Sequence, residues 1–121
     1  MMALDERVAE TLKHGETMDI TTIGRKSGEP RRIELVYHNV NGHILISGQP
    51  GRPRSWLANL TAHPRFTFHL KRSVQADLPA TARVISETAE REQFLKPIAA
   101  SWRIDHALMV DSAPLVEVTF D

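Results

Sequence analysis

The dipeptide Asn41-Gly42 constrains the fold of this chain more than any other pair of residues in it. A two-residue primed turn needs positive φ at both central positions, which Asn and Gly tolerate best, so the flanking segments 33–39 and 43–47 are predicted to pair as a hairpin. The neighbouring segments carry the same period of two. In 17–23, Met18, Ile20 and Thr22 fall on one face, and in 31–38 Ile33, Leu35 and Tyr37 do, so the first three strands make a meander. Segment 65–71 sets Phe66, Phe68 and Leu70 against Arg65, Thr67, His69 and Lys71, predicting a half-buried strand with a basic outer face. A longer extended stretch over 73–85 is bent at Leu78-Pro79, and Val116, Val118 and Phe120 share a face of a last strand, 115–120.

Helical spacing appears between these strands. Leu4, Val8 and Leu12 predict an amphipathic helix over 3–14, stopped by Gly15. Two prolines stiffen the loop Gln49 to Arg54, after which Ser55 is placed as N-cap of a short helix carrying Trp56, Leu57 and Leu60 and ended by Pro64. Ser86 is placed as the cap of another helix, with Glu87 and Glu90 in its first turn and Phe94, Ile98 and Trp102 at four-residue spacing; Pro97 should kink it. The pattern implies a mainly β, α+β chain: a small closed or half-open antiparallel barrel of about six strands with flanking helices. At 121 residues it makes a single domain, 1–121, with one core.

The formal net charge is zero, yet residues 25–72 hold nine of the fifteen Lys and Arg and only two of the fifteen acids. That excess opens with Gly24-Arg25-Lys26-Ser27-Gly28-Glu29-Pro30-Arg31-Arg32, which crowds four cations onto a glycine-bounded bend. Adjacent like charges repel unless a counter-charge sits among them, so the loop is suited to an anion, with its backbone N–H groups expected to help. The absence of cysteine excludes zinc ribbons, iron–sulfur clusters, thiol nucleophiles and disulfides. There is no apolar leader and no stretch near the length of a membrane span, so a cytoplasmic protein without membrane insertion is expected.

Arg25, Lys26, Ser27, Gly28 and Arg31 form the leading candidate site, for a phosphate or polycarboxylate: Arg offers a fork, Lys a mobile charge, Ser27 a neutral donor. A solvated basic turn paired with surface acids is the plainer reading. A second basic loop, Arg52 and Arg54 before a helix N-terminus, favours the ligand. Trp56 and Asn59, three apart on that helix, fit a core anchor and a local cap as well as a binding wall. The six histidines show no metal spacing, so no metal is expected, and His106 beside Asp105 reads as a surface pair rather than an acid–base dyad. No nucleophile elbow, Walker sequence or dinucleotide fingerprint is present. No side chain is assigned as catalytic, and any redox chemistry would be a cofactor's.

The run Thr21-Thr22-Ile23-Gly24-Arg25-Lys26-Ser27-Gly28-Glu29-Pro30-Arg31, followed by Leu35 and Tyr37, Ser47, Gly51 to Trp56, Asn59-Leu60 and Pro64, resembles the deazaflavin (F420)-dependent nitroreductase family, within the FMN-binding, flavin-reductase-like split β-barrels. The likeness is good over roughly residues 15–70. It implies a six-stranded antiparallel split barrel that binds coenzyme F420, an 8-hydroxy-5-deazaflavin whose tail carries a phosphate and glutamates. By position, Arg25, Lys26 and Arg31 would hold the tail, with Ser27, Gly28 and Arg52 in the same two loops, while Ser47, Trp56 and Asn59 would line the ring side. The family's nitro-reducing members line the substrate side with tyrosines. Here the one tyrosine is Tyr37, and Trp102 and His106 stand in the comparable region. The resemblance therefore implies hydride transfer from reduced F420 to a quinone-like or other electron-poor small molecule. FMN on the same barrel and a non-catalytic cofactor carrier are the alternatives. Nucleic acid is disfavoured because Phe66 and Phe68 face the core, and a homodimer is expected because such barrels leave a sheet face and an edge to cover.

Overall fold

The computed structural model describes residues 5–121. The predicted hairpin forms as expected: Asn41 and Gly42 have φ of 53° and 88°, and they join β2 (Pro30–Val40) to β3 (His43–Ser47) with Tyr37 opposite Ile46. β1 (Thr17–Ile23) pairs antiparallel with β2, and Met18 and Ile20 turn inward at zero exposure. β4 (Arg65–Leu70), β5 (Ala76–Val84) and β6 (Leu115–Phe120) complete a closed barrel in the order β1-β2-β3-β6-β5-β4. Closure comes from β4 returning to β1, with Met18 opposite Leu70 and Thr21 opposite Thr67. Every strand thus has two neighbours. Pairing is partial along β2, whose residues 30–36 bond only to β1, so an open edge of the kind the homodimer expectation relies on persists there.

Two apolar clusters hold the fold. Inside the barrel, Met18, Tyr37, Ile46, Phe68 and Val116 pack with Trp56 and Leu60 from α2 (Ser55–Ala62) and Val8 from α1 (Glu6–Thr11). Outside it, Leu45, Ile85 and Leu115 pack against Phe94, Leu95 and Ile98 of α3 (Thr88–Trp102) and Met109 of α4 (His106–Ser112). Gly15 is needed where α1 hands over to β1, because a Cβ there would lie 2.5 Å from the Tyr37 carbonyl oxygen.

Several elements depart from expectation. The first helix spans six residues, and Leu4 lies outside the described residues. Ser55 is the first helical residue rather than a cap; Arg54 occupies the N-cap position without a side-chain bond. Glu87, not Ser86, precedes α3, which continues past Pro97 as one helix and ends at a left-handed Arg103 with φ of 56°. α4 was not anticipated; Asp105 caps it by accepting from the Leu108 N–H at 3.0 Å. Ile33 is 41% exposed because it sits near the start of the long strand β2, where the surface opens into a cavity. His69 is buried rather than part of a basic face, its ring bonded to Thr21 Oγ1 at 2.7 Å and Asp77 Oδ1 at 2.6 Å.

Candidate functional site

The basic turn is built by its own backbone and by α2. The Gly24 N–H donates to the Glu29 carbonyl and the Gly28 N–H to the Gly24 carbonyl, each at 2.8 Å, with Gly28 at φ of 70°. The Glu29 N–H donates to Ser27 Oγ at 3.2 Å. Asn59 locks the turn onto the barrel: its Oδ1 accepts from the Arg25 N–H at 3.0 Å while its Nδ2 donates to Thr22 Oγ1 at 3.1 Å. Much of the turn's backbone is therefore consumed internally. The expectation that its N–H groups point at a ligand gives way to a site made chiefly of cationic side chains.

Those side chains open onto a cavity of about 760 Å³ lined by Arg25, Lys26, Ser27, Arg31, Arg32, Ile33, Pro53, Arg54, Trp56 and Asn59 among others, with no carboxylate in its wall. Not all the cations are free. Arg31 pairs with Glu29 at 3.6 Å and Arg32 with Asp19 at 2.9 Å; farther away, Arg65 pairs with Asp121 at 3.0 Å, and Lys71 with Asp19 at 2.7 Å and with Glu34. Part of the local positive excess is thus neutralised within the fold. Arg25, Lys26 and Arg54 form no ion pair among the described residues. Burial in the cavity wall, and then the charge of Arg52, hold the Arg54 guanidinium below its usual range, though an arginine stays cationic. The uncapped start of α2, at Ser55 and Trp56, adds the positive end of a helix dipole to the same wall.

The remaining candidates are dispersed. Gly28 shapes the turn without lining the cavity, and Arg52 is exposed, its carbonyl accepting from Arg54 Nη1 at 3.0 Å. Ser47 is buried, donates to the Pro114 carbonyl at 2.7 Å and borders a second recess of about 460 Å³ with Val36, Gly48, Gln49, Trp102 and Ile104. Tyr37 is fully buried and its hydroxyl donates to the Thr11 carbonyl at 2.9 Å, so it has no proton to offer a substrate. His106 lies in another recess with Arg91 and Glu92, its Nε2 2.9 Å from the Glu92 carbonyl oxygen. Of the expected substrate-side residues, Tyr37 and Trp102 border one recess of about 390 Å³ with His38 and Ser101, while His106 lies apart from them. Trp102 alone of the three borders the recess beside Ser47, and Asp105 is occupied as a helix cap, so no acid–base dyad forms. Arg32 and Ile33 were missed as lining residues; they reach the cavity where β2 pairs with β1 but not with β3, which no local pattern announces. Among the described residues no group of three or more His, Asp or Glu is placed to hold a metal, and no helix is long and apolar enough to cross a membrane.

Comparison with known proteins places this geometry. An F420-H2 dependent reductase (FDR-A) has the same fold, with a TM-score of 0.64 at 22% identity, covering 98% of this chain and 99% of that chain. A structure described as a domain-swapped dimer gives 0.62 at 24% identity, over 98% and 84% of the two chains. General Stress Protein 26 from Bacillus anthracis str. Sterne gives 0.69 at 11% identity, over 96% and 88%. At such identities the superpositions establish the fold alone. The chemistry rests on sequence: the family described as F420H(2)-dependent quinone reductase matches residues 1–118, from before α1 through most of β6 and including the basic turn, Trp56 and Asn59. The chain belongs to the F420H(2)-dependent quinone reductase family.

Proposed function

We propose that this protein binds reduced coenzyme F420 in the cavity beneath the basic turn and serves hydride transfer to a quinone-like small molecule. The observation that carries the reading is a carboxylate-free cavity in which Arg25, Lys26 and Arg54 have no counter-ion among the described residues. A polyanionic tail is the kind of ligand such a donor set fits. Arg25 and Lys26 would hold the tail's phosphate and carboxylates, with Ser27 Oγ and Arg31 alongside, and Trp56 would give the ring an apolar wall. When bound, the reduced coenzyme supplies the hydride. The protein's part is to orient the reactants and exclude water, which needs no acid–base dyad.

FMN carries one phosphate and needs fewer cations, so F420 is favoured over it. A homodimer fits the same reading through the half-paired edge of β2, where Ile33 and Val36 are large exposed apolar residues. The deciding experiment is absorbance titration of F420 and FMN into wild-type protein and an Arg25→Ala/Lys26→Ala variant. F420 should bind more tightly than FMN, and the double variant should lose on the order of 100-fold in coenzyme affinity, two charge-assisted contacts. The single-turnover rate of bound coenzyme should change little, because those residues hold the tail and not the reacting carbon. Equal affinity for the two cofactors, or a double variant that binds normally, would overturn the assignment.

A further inference from the structure

Arg54 lies where two recesses meet. It lines the basic cavity, and its guanidinium also rests on the backbone of Gly48, a residue of the neighbouring recess bordered by Val36, Gln49 and Trp102. The approach is possible only because residue 48 has no side chain: a Cβ there would fall 2.9 Å from Arg54 Cζ and Nη2 and 3.0 Å from Nε. One guanidinium N–H is bonded, from Nη1 to the Arg52 carbonyl at 3.0 Å, and no carboxylate pairs with the others among the described residues. Arg25 and Lys26 belong instead to the turn that Asn59 anchors. A cation held between a coenzyme cavity and an apolar recess of about 460 Å³ is placed where the second reactant would develop charge.

We propose that Arg54 is a catalytic residue of the acceptor side, its guanidinium stabilising the oxyanion of a quinone bound in the Val36–Trp102 recess. The inference rests on the coenzyme reading above. In the step, a C–H bond of the reduced coenzyme breaks and its electron pair passes with the hydrogen to one quinone oxygen, forming O–H. The displaced π electrons collect on the opposite oxygen, giving a hydroquinone monoanion, and a proton from water completes the hydroquinone. The coenzyme is oxidised and the quinone reduced by two electrons. The negative charge exists only after hydride has begun to move, so a fixed cation at that oxygen lowers the barrier rather than merely tightening binding. The guanidinium N–H groups not given to the Arg52 carbonyl can donate to that oxygen, and a neutral pocket of Val36 and Trp102 suits a flat apolar ring.

The test combines single-turnover oxidation of bound reduced F420 by menadione with coenzyme titration, in wild type, Arg54→Ala, Arg54→Lys and Gly48→Ala. Arg54→Ala should slow the hydride step by roughly 30-fold, below the loss at a fully buried oxyanion site because this one is partly open. Its coenzyme affinity should fall far less than that of the Arg25/Lys26 double variant, and Arg54→Lys should recover part of the rate. Gly48→Ala keeps the charge but displaces the guanidinium, and should lose rate without losing coenzyme. Across a series of substituted quinones the Arg54→Ala penalty should grow with the basicity of the hydroquinone. A uniform penalty across the series would mean a structural role and overturn the proposal. So would an unchanged hydride step with weakened coenzyme binding, which would place Arg54 in the tail clamp. Failure of the wild type to bind F420 is a separate result and would remove the coenzyme reading itself.

Discussion

Asn59 does with one amide what the sequence left undecided. Its carboxamide bonds the Arg25 N–H on one side and Thr22 Oγ1 on the other, so the helix that carries Trp56 also sets the basic turn. The three-residue spacing of Trp56 and Asn59 was legible as adjoining faces of a helix, but their partners come from β1 and the turn, far away in sequence. Asn59→Ala should cost about 1–3 kcal/mol, the penalty for stranding a buried N–H and hydroxyl, which urea denaturation will read. Coenzyme affinity should fall with it, since Arg25 loses its anchor. The ring of His38 packs edge-on to Trp102 at 5.1 Å, and its buried Nε2 has no hydrogen-bond partner among the described residues. Burial pushes its pKa below the ordinary 6.5, so the folded state holds it neutral while the unfolded chain takes up a proton first. Stability from this site is intact above pH 6.5 and is lost as pH falls from there towards the lower folded value. His38→Phe, which keeps an aromatic ring against Trp102, should flatten that part of a stability–pH curve; an unchanged slope would mean that another group is responsible.

The elements that alternation or a tight turn announces, β1, the β2–β3 hairpin, β4 and β6, form near their expected positions because one face of each packs on the barrel interior. α4 escaped notice because it is seven residues long and its only strong local mark is the Asp105 cap. What holds it is not local. Arg91 of α3 donates to the carbonyls of Val110 at 2.8 Å, Ile85 at 3.0 Å, Met109 at 3.2 Å and Ala113 at 2.5 Å, tying the end of α4 to the chain leaving β5. A half-buried arginine that serves backbone oxygens looks like any surface cation in a sequence. Arg91→Leu keeps much of the volume but removes the donor from those carbonyls, of which Met109's alone keeps a bond among the described residues, from the Ala113 N–H, and should destabilise the protein by about 3 kcal/mol or more. Its coenzyme affinity should stay near wild type, because α4 is remote from the basic cavity. Thermal melts and F420 titration of the same sample will separate the two effects.

At the scale of the whole molecule, zero net charge is divided unevenly, and the division has two opposite consequences for salt. The fold's ion pairs are mostly solvent-facing: Arg32, Arg65 and Arg83 have side chains 55%, 80% and 52% exposed in theirs. Pairs of that kind contribute roughly 0–1 kcal/mol each and are screened, so the stability of a closed barrel held by two apolar clusters should hardly respond to salt. Arg25, Lys26 and Arg54 in the cavity wall have no such partners among the described residues, and their attraction for a polyanion is the interaction that salt weakens most, the Debye length shrinking to about 3 Å at 1 M. The sequence left closed and half-open barrels as alternatives, because β4 meets β1 across most of the chain's first half and nothing local marks that pairing. The charge excess was legible, but not which cations stay free, since Arg32 and Lys71 find Asp19 only once the barrel is made. Raising salt from about 0.05 to 0.5 M should therefore weaken F420 binding several-fold while moving the unfolding midpoint little, and should weaken FMN binding less, since FMN carries fewer charges. In Arg25→Ala/Lys26→Ala the F420 response should flatten towards that of FMN. If the double variant keeps the wild-type salt slope, the tail is held by Arg54 and the cations beside it, and the turn's exposed charges serve some other purpose.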